Sequence, residues 1–401
     1  MHKRITHQTG VYMKHERKYL VGLCLVGAMS TQAQAQGLSF YALLDGGIAN
    51  TKVSGGVTQP GKTEFVTGGY APTFAGIKGE KSLGSGYAGG FQLEQGFLLN
   101  PDSSKPWFFS DTKGLFNRRA NVYVKSSAGT LTLGTQGNAF FSSLLSVEPR
   151  AGSNFGSSLA TIAGDGQSYM GTVDKGAVSY ASPVMSGVSV TAQYLPANVS
   201  TDVKSGHRFG VNYAKDSLTL TAATYTTDIA ATAPAVDYTR TGALAGGAYK
   251  LGDFTLKGMW VKQTTQGFSN LKTTGVGGLY QLTPALGIDL GVYESKDAAA
   301  GYQASTVGTG VQYQFIKDLT AYAQYSNVKN KGTIAAAYNF APPMAVDNGT
   351  LGVGQTGSTI SLVNAGLNDA IASGNTAAAA AIIRDKGIRT AEGKELKGLV
   401  N

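Results

Sequence analysis

The chain has 401 residues, of which 55 are glycine, and a formal net charge of +9 from 33 basic and 24 acidic side chains. The basic residues are scattered rather than clustered, which argues against nucleic-acid binding. A lone cysteine, Cys24, excludes a disulfide framework and a thiolate metal site, and the sequence predicts no metal or cofactor.

Residues 1–35 have the pattern of a secretory signal peptide. A basic start and an apolar run precede the small-residue motif AQA at 33–35, so we predict cleavage before Gln36, with Met13 as an alternative start. The apolar run is too short to span a bilayer. Beyond this segment the chain keeps 28 basic and 23 acidic residues and one histidine, His207.

Apolar and polar residues alternate repeatedly along the rest of the chain. In SLTLTAATYTT, Leu218 and Leu220 fall on one face of an extended segment and Thr219 and Thr221 on the other. This period of two indicates a sheet that separates an apolar from a polar environment. We predict sixteen antiparallel strands, at residues 38–50, 72–80, 87–98, 114–126, 129–136, 175–182, 187–195, 207–215, 217–227, 239–250, 253–264, 271–281, 286–296, 303–315, 319–329 and 357–368.

The predicted connections alternate between tight turns and longer loops, the longest of which is 137–174. Short turns on one rim, long loops on the other and an even strand number are typical of a transmembrane β-barrel of the outer membrane. A propeller or a sandwich is the soluble alternative, but neither needs polar residues at every second position. The fold class is therefore all-β, and aromatic residues at strand ends are expected in the interfacial girdles: Tyr194, Tyr213, Tyr225, Tyr293 and Phe315.

Five stretches match one protein family in the right order. They are LSFYALLDGGI, FAGIKGEKSLGSGYAGGFQLEQGF, LFNRRANVYVKSSAGTLTLGTQ, GAVSYASPVMSGVSVTAQY and AQYSNVKNKGTIAAAYNF. Through them, residue 38 to about residue 340 resembles the general trimeric porins of Gram-negative β-proteobacteria, of the Burkholderia and Neisseria type. The resemblance implies a homotrimer of water-filled pores for passive diffusion of ions and small hydrophilic solutes. It also implies an inward-folded third loop.

In such porins a basic cluster on the wall faces acidic groups on the third loop, and the crossed charges bias ion traffic. Phe74 and Thr135 stand where the family often has arginine, so only a weak anion preference is expected. By strand parity Asp45, Asp289 and Lys257 are also lumenal, whereas His207 and Arg208 are expected to be solvated at a strand end. Carried onto this chain, the constriction comprises Arg118 and Lys78 on the wall and Glu148, Arg150, Asp165 and Asp174 on the loop. Lys175 lies near, not at, a further basic position of the family, and we add Glu94 to the wall because its strand parity is lumenal.

Arg118 and Arg119 are neighbours in a predicted strand and should therefore point to opposite faces. We expect Arg118 to face the lumen. Arg119 would then point outward, where a cation at the lipid midplane is costly, so it should contact a neighbouring subunit or lie near a headgroup level. The alternative is a β-bulge that places both on one face.

The C-terminus departs from the family, in which the last residue of the final strand is phenylalanine. We predict a barrel domain over 36–368 and a helical tail over 369–401 at the periplasmic rim. The expected partners are outer-membrane lipid, lipopolysaccharide and the barrel assembly machinery. An outer-membrane barrel enzyme and an adhesin or structural barrel without an open pore are the alternatives. A single histidine in the mature chain argues against the enzyme.

Overall fold

The computed structural model describes residues 24–27, 37–53, 59–99, 114–154, 156–162, 171–197, 202–230, 237–267, 269–299 and 302–331. In this part of the chain no helix is long and apolar enough to cross a bilayer. The predicted strand 357–368, the predicted tail 369–401, Asp165 and most of the predicted signal peptide lie outside the described residues. The signal peptide and the domain boundaries stay predictions.

The strands form one antiparallel sheet. Their bounds are β1 (Cys24–Gly27), β2 (Leu38–Val53), β3 (Gln59–Thr67), β4 (Phe74–Gly84), β5 (Tyr87–Gly96), β6 (Arg119–Ser126), β7 (Gly129–Gly137), β8 (Val173–Ala181), β9 (Val188–Leu195), β10 (Val203–Lys215), β11 (Leu218–Ile229), β12 (Tyr238–Leu251), β13 (Phe254–Thr265), β14 (Ser269–Gln281), β15 (Leu286–Asp297), β16 (Tyr302–Ile316) and β17 (Leu319–Lys331).

The two faces of the sheet have different compositions, as the alternation predicts. Val122, Val124, Leu131 and Leu133 on β6 and β7 are each about half exposed on one face. The residues that alternate with them, such as the buried Asn121 just before Val122, lie on the opposite face, and many of the buried polar side chains are on that side. An apolar face left open to the surroundings is what a barrel wall in lipid requires.

Each strand from β4 to β17 pairs with the next one along the chain, which makes a meander with short turns at one rim. β2 pairs with β4 over Leu38–Leu43 and with β3 over Gly46–Val53, so the β2–β3 hairpin rises above the wall at the long-loop rim. The fifteen predicted strands that lie within the described residues are all present. Their bounds shift by a few residues, most at the fourth, which begins at Arg119 instead of 114.

The seam of the sheet differs from the prediction. β1, inside the predicted signal peptide, pairs with β17 on one side and with β2 on the other. It is only four residues long, so among the described residues no full-length strand closes the wall between β17 and β2. The sequence predicted that a strand at residues 357–368 would close the wall between β17 and β2.

The third long loop lies inside the sheet and contains helices α1 (Ala139–Val147) and α2 (Leu159–Ile162). Asn138 caps α1 by accepting a hydrogen bond from the N–H of Phe141 at 3.0 Å. The side of the loop that faces the wall packs on apolar residues of β11, β12, β13 and β15. Together they form one buried cluster: Phe140, Leu144, Val147, Leu159, Ile162, Ala223, Tyr225, Leu244, Met259, Val261 and Tyr293. The face of the sheet that contacts α1 is therefore the lumenal face.

Two of the aromatic residues expected in the interfacial girdles belong to this cluster. The ring of Tyr225 meets Phe140 edge-on with centroids 4.9 Å apart, and Tyr293 is almost fully buried. Both rings point into the lumen, so the girdle prediction is wrong for them. The reason is that the loop supplies an apolar surface inside the barrel, which a sequence pattern for lipid-facing residues does not reveal.

Candidate pore constriction

Glu94 lies at the centre of a group of cations on the lumenal face of β4 to β6. Its Oε1 accepts a hydrogen bond from Nε of Arg118 at 2.7 Å, and its Oε2 lies 3.6 Å from Nε of Arg119. The hydroxyl of Tyr41 donates to Oε2 at 3.1 Å, and Gln92 donates to that hydroxyl at 2.6 Å. One buried carboxylate thus positions both arginines.

The two arginines share a face because the strand begins between them. Arg119 is the first residue of β6 and lies directly opposite Glu94, so the two side chains are on one side of the sheet. Arg118 precedes the strand: its N–H donates to the Glu94 carbonyl at 3.1 Å and its guanidinium lies 4.6 Å from the centroid of Phe74. The expectation that Arg119 points outward is wrong, since the alternation of side chains starts only at Arg119.

Lys78 extends the basic group along β4. It is exposed, and its Nζ lies 5.7 Å from the centroid of the Tyr41 ring. Phe74, at the position where the resemblance implies an arginine, supplies the ring on which Arg118 stacks. We call Lys78, Arg118, Arg119 and Glu94 the wall cluster; it joins three cations to one carboxylate.

Glu148, predicted to face the wall from the loop, is fully buried within the loop. Its Oε2 accepts from the backbone N–H groups of Arg150 at 2.7 Å and Gly152 at 2.8 Å. Its Oε1 accepts from both the N–H and the hydroxyl of Ser158 at 3.1 Å. A carboxylate used in this way fixes the loop conformation instead of lining the pore.

Arg150, also predicted as a constriction residue, joins the loop to the opposite wall. Its Nε donates to Asp289 on β15 at 2.5 Å, and Nη2 donates to Gln324 on β17 at 2.8 Å. Gly310 leaves room for this contact, because a Cβ there would lie 2.6 Å from Oδ2 of Asp289 and 3.1 Å from Nη2 of Arg150. The pair is buried and neutral overall.

Asp174 pairs with Arg208, whose Nη2 lies 3.2 Å from Oδ1, and both side chains are buried. The expectation that Arg208 is solvated is therefore wrong, while His207 lies on the outer face beside the ring of Tyr194. Lys175 is half-buried next to Asp174 in β8. Neither described loop carboxylate of the prediction faces the wall cluster.

Sequence reasoning did not identify the partners that hold this arrangement. Asp45 has the predicted lumenal position, but it accepts from the N–H groups of Tyr70 and Ala71 at 2.7 Å and from the hydroxyl of Tyr322 at 2.6 Å. It therefore joins the segment before β4 to β17. The long sequence separations involved carry no local signal.

A cavity of about 350 Å³ lies at the short-turn side of the loop. Lys257 on β13 lines it and is half-buried, with no ion pair among the described residues. The other polar side chains of its lining are Tyr70, Arg150, Thr255, Gln281, Asp289, Gln312, Gln314 and Thr320. Solutes that pass the loop would meet this mostly neutral, hydrogen-bonding surface next.

The sequence profile of the family described as Gram-negative porin matches residues 22–333. The chain belongs to the Gram-negative porin family. It is accordingly an outer-membrane porin, a channel for small solutes located in the outer membrane. A comparison with curated protein sequences found no significant match.

Solved porins and outer-membrane proteins share the fold. The anion-selective porin from Comamonas acidovorans aligns with a TM-score of 0.64 at 18% identity, covering 74% of this porin and 90% of that chain. OmpT, an outer membrane protein of Vibrio cholerae, aligns with a TM-score of 0.54 at 14% identity, covering 75% and 89%. At these identities the likeness is one of fold.

Proposed function

We propose that this porin is a non-enzymatic diffusion pore with a weak preference for anions. The observation that carries the proposal is the wall cluster, in which Glu94 is the one carboxylate among three neighbouring cations. The excess positive charge lies on the lumenal face, where it raises the local concentration of anions.

The loop does not offset this charge with the carboxylates that the structure describes. Glu148 is enclosed by backbone N–H donors, and Asp174 and Asp289 are paired with Arg208 and Arg150. Lys257 adds a further cation on the lumenal wall near the short-turn rim. The name of the Comamonas acidovorans protein, an anion-selective porin, is in keeping with the same direction.

The test is the reversal potential of the purified porin in a planar bilayer under a roughly tenfold gradient of potassium chloride, which is large enough to show the sign of the ion preference. We expect stepwise openings and a modest potential of the sign that anion flow produces. A cation-selective potential would contradict the anion preference. A bilayer without stepwise conductance would instead favour a structural barrel or an adhesin.

We also propose that this porin has no enzymatic activity. Barrel hydrolases need a nucleophile or a water activated beside histidine and a carboxylate. His207, the one histidine beyond the predicted signal peptide, lies on the outer face, opposite Tyr194 in the β9–β10 pairing. We expect His207→Ala to keep single-channel conductance within experimental error, measured beside the unmodified porin. A large loss of conductance would assign His207 a role that its position does not explain.

We further propose a homotrimer, surrounded by outer-membrane lipid and lipopolysaccharide and inserted by the barrel assembly machinery. The family resemblance supports the trimer. The outward apolar face of the sheet, which includes Phe40, Val122 and Leu290, supports a lipid environment.

A further inference from the structure

Three lysines lie in one row across adjacent strands near the long-loop rim. Lys262 on β13 is directly opposite Lys272 on β14, and Lys272 is directly opposite Lys296 on β15. Residues opposite each other in an antiparallel pair share a face and have Cβ atoms roughly 5 Å apart. We call these three residues the lysine row.

The lysine row is on the outer face of the barrel. Lys262 alternates with Met259 and Val261, which belong to the buried cluster under the loop in the lumen, and shares its face with the exposed Trp260. Lys272 shares its face with Val276, which is 63% exposed. Each lysine therefore stands at the long-loop end of an outward apolar stripe, where hydrocarbon gives way to headgroups.

Equal charges directly opposite each other destabilise a sheet. Among the described residues none of the three lysines forms a salt bridge, and Lys272 and Lys296 are exposed. The acidic residue nearest in register on this face is Glu294, and it accepts a hydrogen bond from Gln303 at 3.1 Å. Even when the charge of Glu294 is counted, the three lysines give a net positive charge at one height on the membrane-facing surface.

We propose that the lysine row binds the phosphate groups of the outer-leaflet lipid, those of lipid A in lipopolysaccharide. Phosphates at the headgroup level offset the charge, while the acyl chains cover the apolar stripes below. The row is on the opposite side of the wall from the pore, so the inference is independent of the anion preference. It rests on the outer-membrane location and assigns a site to a contact so far proposed only in general terms.

The experiment compares two triple variants with the unmodified porin. Lys262→Gln/Lys272→Gln/Lys296→Gln removes the row, and Lys215→Gln/Lys250→Gln/Lys317→Gln removes the same charge from exposed positions at the short-turn rim. Each porin is placed in phosphatidylcholine nanodiscs and titrated with diphosphorylated lipid A. Since each lysine near a membrane surface is worth about fivefold in affinity, we expect the row variant to bind on the order of 100-fold more weakly. The control should stay within about twofold of the unmodified porin.

Further arms separate the sources of the phosphate. Dephosphorylated lipid A should not distinguish the row variant from the unmodified porin, and inorganic phosphate at equal concentration should not displace lipid A. Equal lipid A affinity in the row variant would overturn the proposal. Complete displacement by inorganic phosphate would show that the lysine row is a site for free anions instead. If the row variant lost the trimer but kept its lipid A affinity, the row would be a contact between subunits instead. If the triple variant does not fold, Lys272→Gln alone should bind about fivefold more weakly, and equal affinity there would also overturn the proposal.

Discussion

Replacing Arg118 and Arg119 together by alanine is expected to shift the reversal potential strongly toward cation selectivity. The change removes two of the three cations of the wall cluster and leaves the Glu94 carboxylate facing the lumen without its ion-pair partners. A unit charge about 6 Å from a permeating ion contributes about 0.7 kcal/mol in a water-filled pore. Removing the two charges therefore lowers the occupancy of an anion at this point by roughly tenfold and raises that of a cation by a similar factor.

The complementary variant should shift the potential in the opposite direction. Glu94→Gln keeps a side chain of the same shape that still meets Arg118, but it removes the only carboxylate of the wall cluster. We expect a stronger anion preference, with the occupancy of anions at this point raised by roughly threefold and that of cations lowered by a similar factor. Lys272→Ala is the matched control, because it removes one cation from the outer face, and its reversal potential should equal that of the unmodified porin. If the double arginine variant kept the original potential, the wall cluster would lie off the permeation path.

Strand alternation predicted most of the fold because lipid and water impose it on every membrane-spanning strand. The exceptions were segments without that constraint. β3, with the sequence QPGKTEFVT, contains proline and glycine and pairs only with the part of β2 that extends beyond the wall. The four residues of β1 have no alternation that would distinguish them from the apolar core of a signal peptide.

The constriction was only partly predictable for a different reason. Parity placed Glu94 and Asp289 on the lumenal face, since that depends on the strand alone. The orientation of Arg119 depended on the residue at which β6 begins, which the sequence did not reveal. The roles of Glu148 and Arg150 depend on loop conformation and on a partner 139 residues away, so no local pattern could indicate them.

Detaching the third loop from the wall is expected to widen the pore. Arg150→Met removes the contacts with Asp289 and Gln324 and leaves the Asp289 carboxylate buried without its guanidinium partner. Breaking a buried ion pair from one side typically costs about 3–5 kcal/mol, which the loop can avoid by leaving the wall and hydrating Asp289. We therefore expect a higher single-channel conductance and faster liposome swelling with larger neutral sugars.

The variant Arg150→Met/Asp289→Leu, which removes both charges, should recover part of the original conductance because no unpaired carboxylate is left to draw the loop away from the wall. Gln281→Leu, in the lining of the same cavity but away from the loop contacts, is the control and should leave the sugar size limit unchanged. An unchanged size limit in Arg150→Met would mean that the other attachments of the loop are enough to hold it in the lumen. These are the buried apolar cluster and the hydrogen bonds of Ser153 with Gln324 and of Asn154 with the Gly68 carbonyl, and the Arg150–Asp289 pair would then have no part in setting the pore size.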